Sequence, residues 1–81
     1  MANIKRVYQR RGAEGRESVT IMAYLGADAG DSDEIRHIIE RQGSVVEDKI
    51  AYFGTDGSKW LEDQHAAYIA DGFDQTADGT Y

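Results

Sequence analysis

Two kinds of apolar spacing alternate along the chain. From 31 to 43, DSDEIRHIIERQG, Ile35, Ile38 and Ile39 fall at i, i+3 and i+4, the stripe of an amphipathic helix. Asp31 or Ser32 stands at a cap position, and Glu34 follows Asp31 by three residues, as in a capping box. Arg41 suits the negative helix end, and Gly43 can take the left-handed stop. A helix so short is marginal alone, so its isoleucines are expected to lie on a sheet. Residues 18–25, SVTIMAYL, carry apolar side chains on both faces, which predicts a central strand. Residues 3–10, NIKRVYQR, predict a strand with one wet face, joined to 18–25 as a hairpin through the basic connection 11–17.

Residues 44–53 fork. Ser44 and Glu47 form a capping box with Val46, Ile50 and Phe53 on one face, yet the β-branched and aromatic content fits a strand equally well. Asp56-Gly57, between two aromatic-bearing runs, is a hairpin signal and tips the reading toward the strand. Residues 61–71 predict a helix starting as early as Ser58, with Leu61, His65, Tyr68 and Ile69 on one face and Gly72 as its stop. The expected architecture is α+β, in the order β-β-α-β-β-α, with helices on one face of an antiparallel sheet; the alternative is a β-hairpin followed by three helices. A single domain is expected over 1–72. An acidic tail, 73–81, is either loose or docked through Phe73 and Tyr81.

The 81 residues leave room for one small core, so a homodimer is open to a chain this size. With no cysteine there is no disulfide and no thiolate metal site. There is no signal-peptide pattern and no run long enough to span a bilayer, so the expected setting is cytoplasmic, without a membrane partner.

Charge changes the picture most. Residues 1–17 carry a balance of +3 and residues 18–81 a balance of −9, giving −6 in all. From Trp60 to Tyr81 there are five acids and no base. Such a balance disfavours nucleic acid as the main ligand and favours a basic protein surface.

Candidate chemistry is thin. Two Glu-x-x-His units, Glu34/His37 and Glu62/His65, have the spacing at which a carboxylate and an imidazole share a metal on a helix. On helical wheels, however, Glu34 and His37 face water while His65 lies in an apolar stripe, so the units do not converge. Asp28, Asp31 and Asp33 suggest a calcium loop, but Ile35 stands where an oxygen ligand is required. No serine lies in a nucleophile elbow, and no glycine-rich phosphate loop is present. A non-enzyme with neither cofactor nor metal is expected.

The expected partner-binding residues are the carboxylates Asp31, Asp33, Glu34, Glu62, Asp63, Asp71 and Asp74 with the aromatics Trp60 and Phe73. Spaced carboxylates can occupy the phosphate positions of a nucleic-acid-binding protein, and aromatics between them can supply anchoring contacts. In this profile of size, charge and exposed aromatics the chain resembles the inhibitors that phages and mobile elements carry against nucleic-acid machinery, anti-CRISPR proteins among them. The resemblance is one of composition and implies an inhibitor or adaptor. Metal-binding and structural-subunit roles are the alternatives.

Overall fold

The computed structural model describes residues 2–12, 15–26 and 32–80. Five strands and one helix follow in the order β1 (Ala2–Gly12), β2 (Gly15–Leu25), β3 (Asp33–Arg41), β4 (Ser44–Gly54), α1 (Gly57–Ala70) and β5 (Asp74–Thr80). The strands form one antiparallel sheet in the order β4-β3-β2-β1-β5. The chain builds four strands as a meander, crosses the sheet with α1, and returns to add β5 beside β1.

The single helix lies on one face, and the core is the layer beneath it. Tyr8, Val19, Ile21, Ala23, Ile35, Leu61 and Phe73 are buried there, with Ile4, Leu25, Ile39, Tyr52, Trp60 and Tyr68 packed around them. Alternation in β2 selects the covered side: Val19, Ile21 and Ala23 point toward α1, whereas Thr20, Met22 and Tyr24 point to the uncovered side.

Both expected architectures are therefore corrected. Residues 31–43 are not a helix: Asp33–Arg41 is β3, hydrogen-bonded to β2 and β4. The physical reason is an ambiguity of spacing. Ile35 and Ile39 at i and i+4 share one face of a strand as well as of a helix, and β-branched isoleucine suits the pleat. Ile38 goes to the uncovered side. Gly43 does take a left-handed conformation, φ 80°, but in company with Gln42 at φ 53°. Two successive positive φ values are what a type I′ hairpin turn requires, so the apparent helix stop is the β3–β4 turn. The fork at 44–53 resolves as strand β4. Asp56-Gly57 is not a hairpin turn but the start of α1. Asp31 lies outside the described residues.

Helix α1 depends on the sheet at both ends. Asp56 makes no side-chain cap. Instead the buried carboxylate of Asp33, 8% exposed, accepts the backbone N–H of Gly57 through Oδ2 and that of Gly26 through Oδ1, both at 2.8 Å. At the other end Gly72, φ 92°, donates to Ile69 O and Phe73 N–H to Tyr68 O, at 3.2 and 3.0 Å. This is a Schellman stop, with its apolar contact supplied by the Phe73 and Tyr68 rings at 5.3 Å. Residues 74–80 of the expected tail form β5.

Both edge strands carry bulges. Ala51 and Val46 are extra residues in β4 opposite β3, and Thr76 is extra in β5 opposite β1. No helix among the described residues is long and apolar enough to cross a membrane.

Asp33→Ala is expected to lower stability by about 3 kcal/mol, because the buried N–H of Gly57 and the part-buried N–H of Gly26 lose their acceptor. Glu34→Ala, one residue on but exposed, is expected to change it by less than about 0.5 kcal/mol. Urea denaturation of both variants checks this; equal effects would refute the capping role of Asp33.

Candidate functional site

The helix–sheet seam holds a set of part-buried polar groups. His37, on the covered face of β3, accepts a hydrogen bond from the Tyr68 hydroxyl through Nε2, while Nδ1 lies 3.3 Å from Glu47 Oε2. Beside it, Tyr8 O–H donates to His65 Nδ1 at 2.8 Å. The two phenol rings sit 5.2 Å apart, and His37 stacks on Tyr68. Burial pushes the Tyr68 phenol up to about 12, with Glu47 and Tyr8 adding to it. Burial likewise raises Tyr8, against an opposing pull from Arg6. Phenols held protonated in this way are weak nucleophiles, and their visible work is to fix α1 on the sheet.

The Glu-x-x-His units do not assemble. On a strand, residues three apart point to opposite faces, so Glu34 looks to the uncovered side and His37 to the seam. Glu62 reaches Arg6, whereas His65 reaches Tyr8. Among the described residues no group of three or more His, Asp or Glu side chains could hold a metal ion.

The basic N-terminal segment is not a separate arm, because β1 lays its alternate residues against α1 and β5. Arg6 contacts Asp78 at 3.3 Å and Glu62 at 3.5 Å. Arg10 lies over the Phe73 ring, 4.4 Å from its centroid, and bonds both the backbone oxygen and carboxylate of Asp71 at 2.8 Å. A cation from β1 thus serves the C-terminal end of α1, whose own last turn has none.

The structure separates the expected partner-binding residues. Asp33 is buried and committed to backbone N–H groups, and Phe73 is buried beneath Arg10. Trp60 is half-buried against Tyr52. Glu62, Asp63 and Asp71 are exposed along α1 and its end, paired with Arg6, Lys59 and Arg10 respectively. Glu34 and Asp74 belong to the uncovered side, on β3 and β5. No single acidic face results.

What the residue pattern did not single out is the exposed apolar column of β4. Of the six exposed large hydrophobic residues among the described residues, four are on this edge strand: Val45 (59%), Val46 (55%), Ile50 (49%) and Phe53 (69%). Register puts Phe53 beside Glu34, Ile50 beside Arg36 and Val45 beside Glu40 on the uncovered side. Arg36 is held by Asp48 through two bonds of 2.6 and 2.7 Å. Glu34 and Glu40 form no ion pair among the described residues, and Asp48, opposite Ile38, stands in the column between Ile50 and Val45, so the surface is apolar at Phe53 and Ile50 with acidic groups beside it. The signal was present as Val, Ile and Phe in 45–53, but it becomes a surface only once β4 is known to be an edge.

No family model, curated protein or solved structure matches this chain.

The raised phenols give a signed pH dependence. A folded-state value above the unfolded one means the native state holds the proton more tightly. The stabilisation from Tyr68 is therefore complete below its ordinary value of 10.0 and is lost as pH rises toward about 12. Phenolate absorbance is expected to show a late phase coinciding with loss of near-UV circular dichroism, and Tyr68→Phe to remove that phase.

Proposed function

We propose that this protein is a non-enzymatic binding module of the cytoplasm, an inhibitor or adaptor that engages a basic surface of a nucleic-acid-handling protein. The observation carrying the reading is the β4 edge, with Phe53 and Ile50 exposed side by side, Val45 exposed beyond Asp48, and the carboxylates Glu34 and Glu40, without an ion pair among the described residues, beside them. Large apolar side chains on a rigid strand supply the desolvated centre of an interface, and flanking carboxylates select a partner whose apolar patch is rimmed by Lys or Arg. The overall charge of −6 favours encounter with such a partner at low salt. Glu62 and Asp71 extend the negative field on the helix side, where each is more exposed than the arginine it pairs with, Arg6 and Arg10 respectively, while Asp63 is matched by an equally exposed Lys59.

The test is capture from a source-cell lysate with the tagged wild type and with Phe53→Ser/Ile50→Ser, followed by affinity measurement on the purified partner. A basic nucleic-acid-binding protein is expected, held at least ten-fold less tightly by the double variant and several-fold less by Glu34→Gln/Glu40→Gln. Glu62→Gln/Asp63→Asn is expected to weaken binding less and to flatten its salt dependence. Unchanged affinity in the Phe53/Ile50 variant would refute the β4 surface. A partner without basic character would refute the charge argument.

A further inference from the structure

The uncovered face of the sheet is organised in rows that run across the strands, and the rows differ in charge. Register places Ala77, Val7, Thr20 and Ile38 side by side on β5, β1, β2 and β3, an uncharged row through the middle of the face. On one side of it the next row holds Gly79, Lys5, Met22, Arg36 and Ile50, with two cations. On the other side stand Asp74, Gln9, Ser18, Glu40 and Val45, with two carboxylates. Past the anionic row lie Arg11 and Arg16; past the cationic row lie Asn3, Tyr24, Glu34 and Phe53. Among the described residues Lys5, Arg16, Glu34, Glu40 and Asp74 form no ion pair within the chain. Val7, Met22 and Ile38 are only half-buried, and Tyr24 and Ile50 are exposed, so apolar area remains to be covered.

We infer that this face binds a second copy of the chain, sheet on sheet. A twofold axis along the uncharged row turns one copy end over end onto the other. The uncharged row then meets itself, and the cationic row of each copy lies on the anionic row of the other. Arg36 faces Glu40, Ile50 faces Val45, and Lys5 lies one strand from Asp74 of the second copy. Arg16 reaches the end of the second sheet that holds Tyr24 and Glu34. The charges select this arrangement. Moving the axis one residue toward Met22 sets Glu34 on Glu40, and an axis along β2 sets Arg36 on Lys5. Asp48, at the β4 end of the uncharged row, does meet its own copy, but Arg36 of its own chain already holds it through two bonds of 2.6 and 2.7 Å. Stacked sheets lie about 10 Å apart with strands roughly 30° from parallel, an offset that Arg, Lys and Glu side chains span. Five strands at about 4.8 Å, over about eight residues of some 3.4 Å each, give roughly 650 Å² per copy. Twice that clears the roughly 1,000 Å² a specific interface needs. Lys5, Arg11, Arg16 and Arg36 balance Glu34, Glu40, Asp48 and Asp74, so two chains of net charge −6 meet through a part of the surface that carries none of it.

A second copy and the partner protein proposed above would both cover Ile50, so the dimer is the form taken when that partner is absent. The inference does not rest on that reading and is tested on the purified chain alone. Sedimentation equilibrium of the full chain at about 150 mM salt is expected to show a dimer with a Kd of about 1–10 µM. Thr20→Lys sets two ammonium groups together on the axis and is expected to weaken the dimer at least about thirty-fold. Glu40→Lys/Asp74→Lys makes both flanking rows cationic, and Lys5→Glu/Arg36→Glu makes both anionic. Each of these is expected to be monomeric alone at about 100 µM. Mixed, the two are expected to form a one-to-one heterodimer, an outcome that loss of folding cannot produce. A wild type that is monomeric at about 100 µM would overturn the inference and leave the face to the partner protein. So would a dimer indifferent to Thr20→Lys, which would assign association to another surface, or charge variants that stay apart when mixed.

Discussion

A buried carboxylate holds the two layers together. Asp33 begins β3, yet its two oxygens accept from Gly26, just past β2, and from Gly57, the first residue of α1. One side chain therefore fixes where the meander turns and where the crossover helix starts. The packing around it is close: a Cβ at Gly57 would stand 2.8 Å from Asp33 Cβ and 3.0 Å from Leu25. Without this anchor α1 would begin with unsatisfied donors and no side-chain cap of its own. Leu61 lies one turn further along, so the anchored end also delivers the helix's buried leucine onto Ile21 and Ile35.

From that fixed end the helix is laid down through polar contacts as much as apolar ones. Tyr8 with His65, and Tyr68 with His37, place two phenol–imidazole hydrogen bonds between the layers. Aliphatic packing tolerates sliding of a helix by part of a turn, whereas paired donors and acceptors do not. Arg10 then closes the far end by stacking on Phe73 and holding Asp71. A helix whose one buried apolar side chain is Leu61 is thus held in register by groups that the sheet supplies.

The parts of this fold that were legible in the residues are those governed by one local rule. β2 was legible because its apolar residues fill both faces, α1 because alanines precede a glycine stop, and the hairpin of β1 and β2 because two β-rich runs flank a polar connection. β3 was misread because its isoleucine spacing satisfies two periodicities, and because a left-handed glycine ends a helix and turns a hairpin equally well. Only pairing with β2 and β4 decides between them, and that is a long-range fact. The same holds for the surface. Asp33, Phe73 and Trp60 look like exposed chemistry in a linear reading, but the sheet draws them inward. Arg6 and Arg10 look like a free basic arm until β5 and α1 arrive beside them. Phe53 and Ile50 look like core until β4 proves to be an edge strand that turns them to the uncovered side.

The bulges of the edge strands determine how anything can recognise this molecule. Val46 and Ala51 break the even run of N–H and C=O groups along the free side of β4, and Thr76 does the same in β5. A foreign strand cannot read down either margin as it would an intact ladder, and neighbouring copies cannot extend the sheet indefinitely. What distinguishes those margins is then their side chains, such as the exposed Phe53 and Ile50 of β4, and not the backbone that every protein shares. The same sheet leaves one whole face uncovered by a helix, so what its margins withhold from backbone pairing its open face offers through side chains.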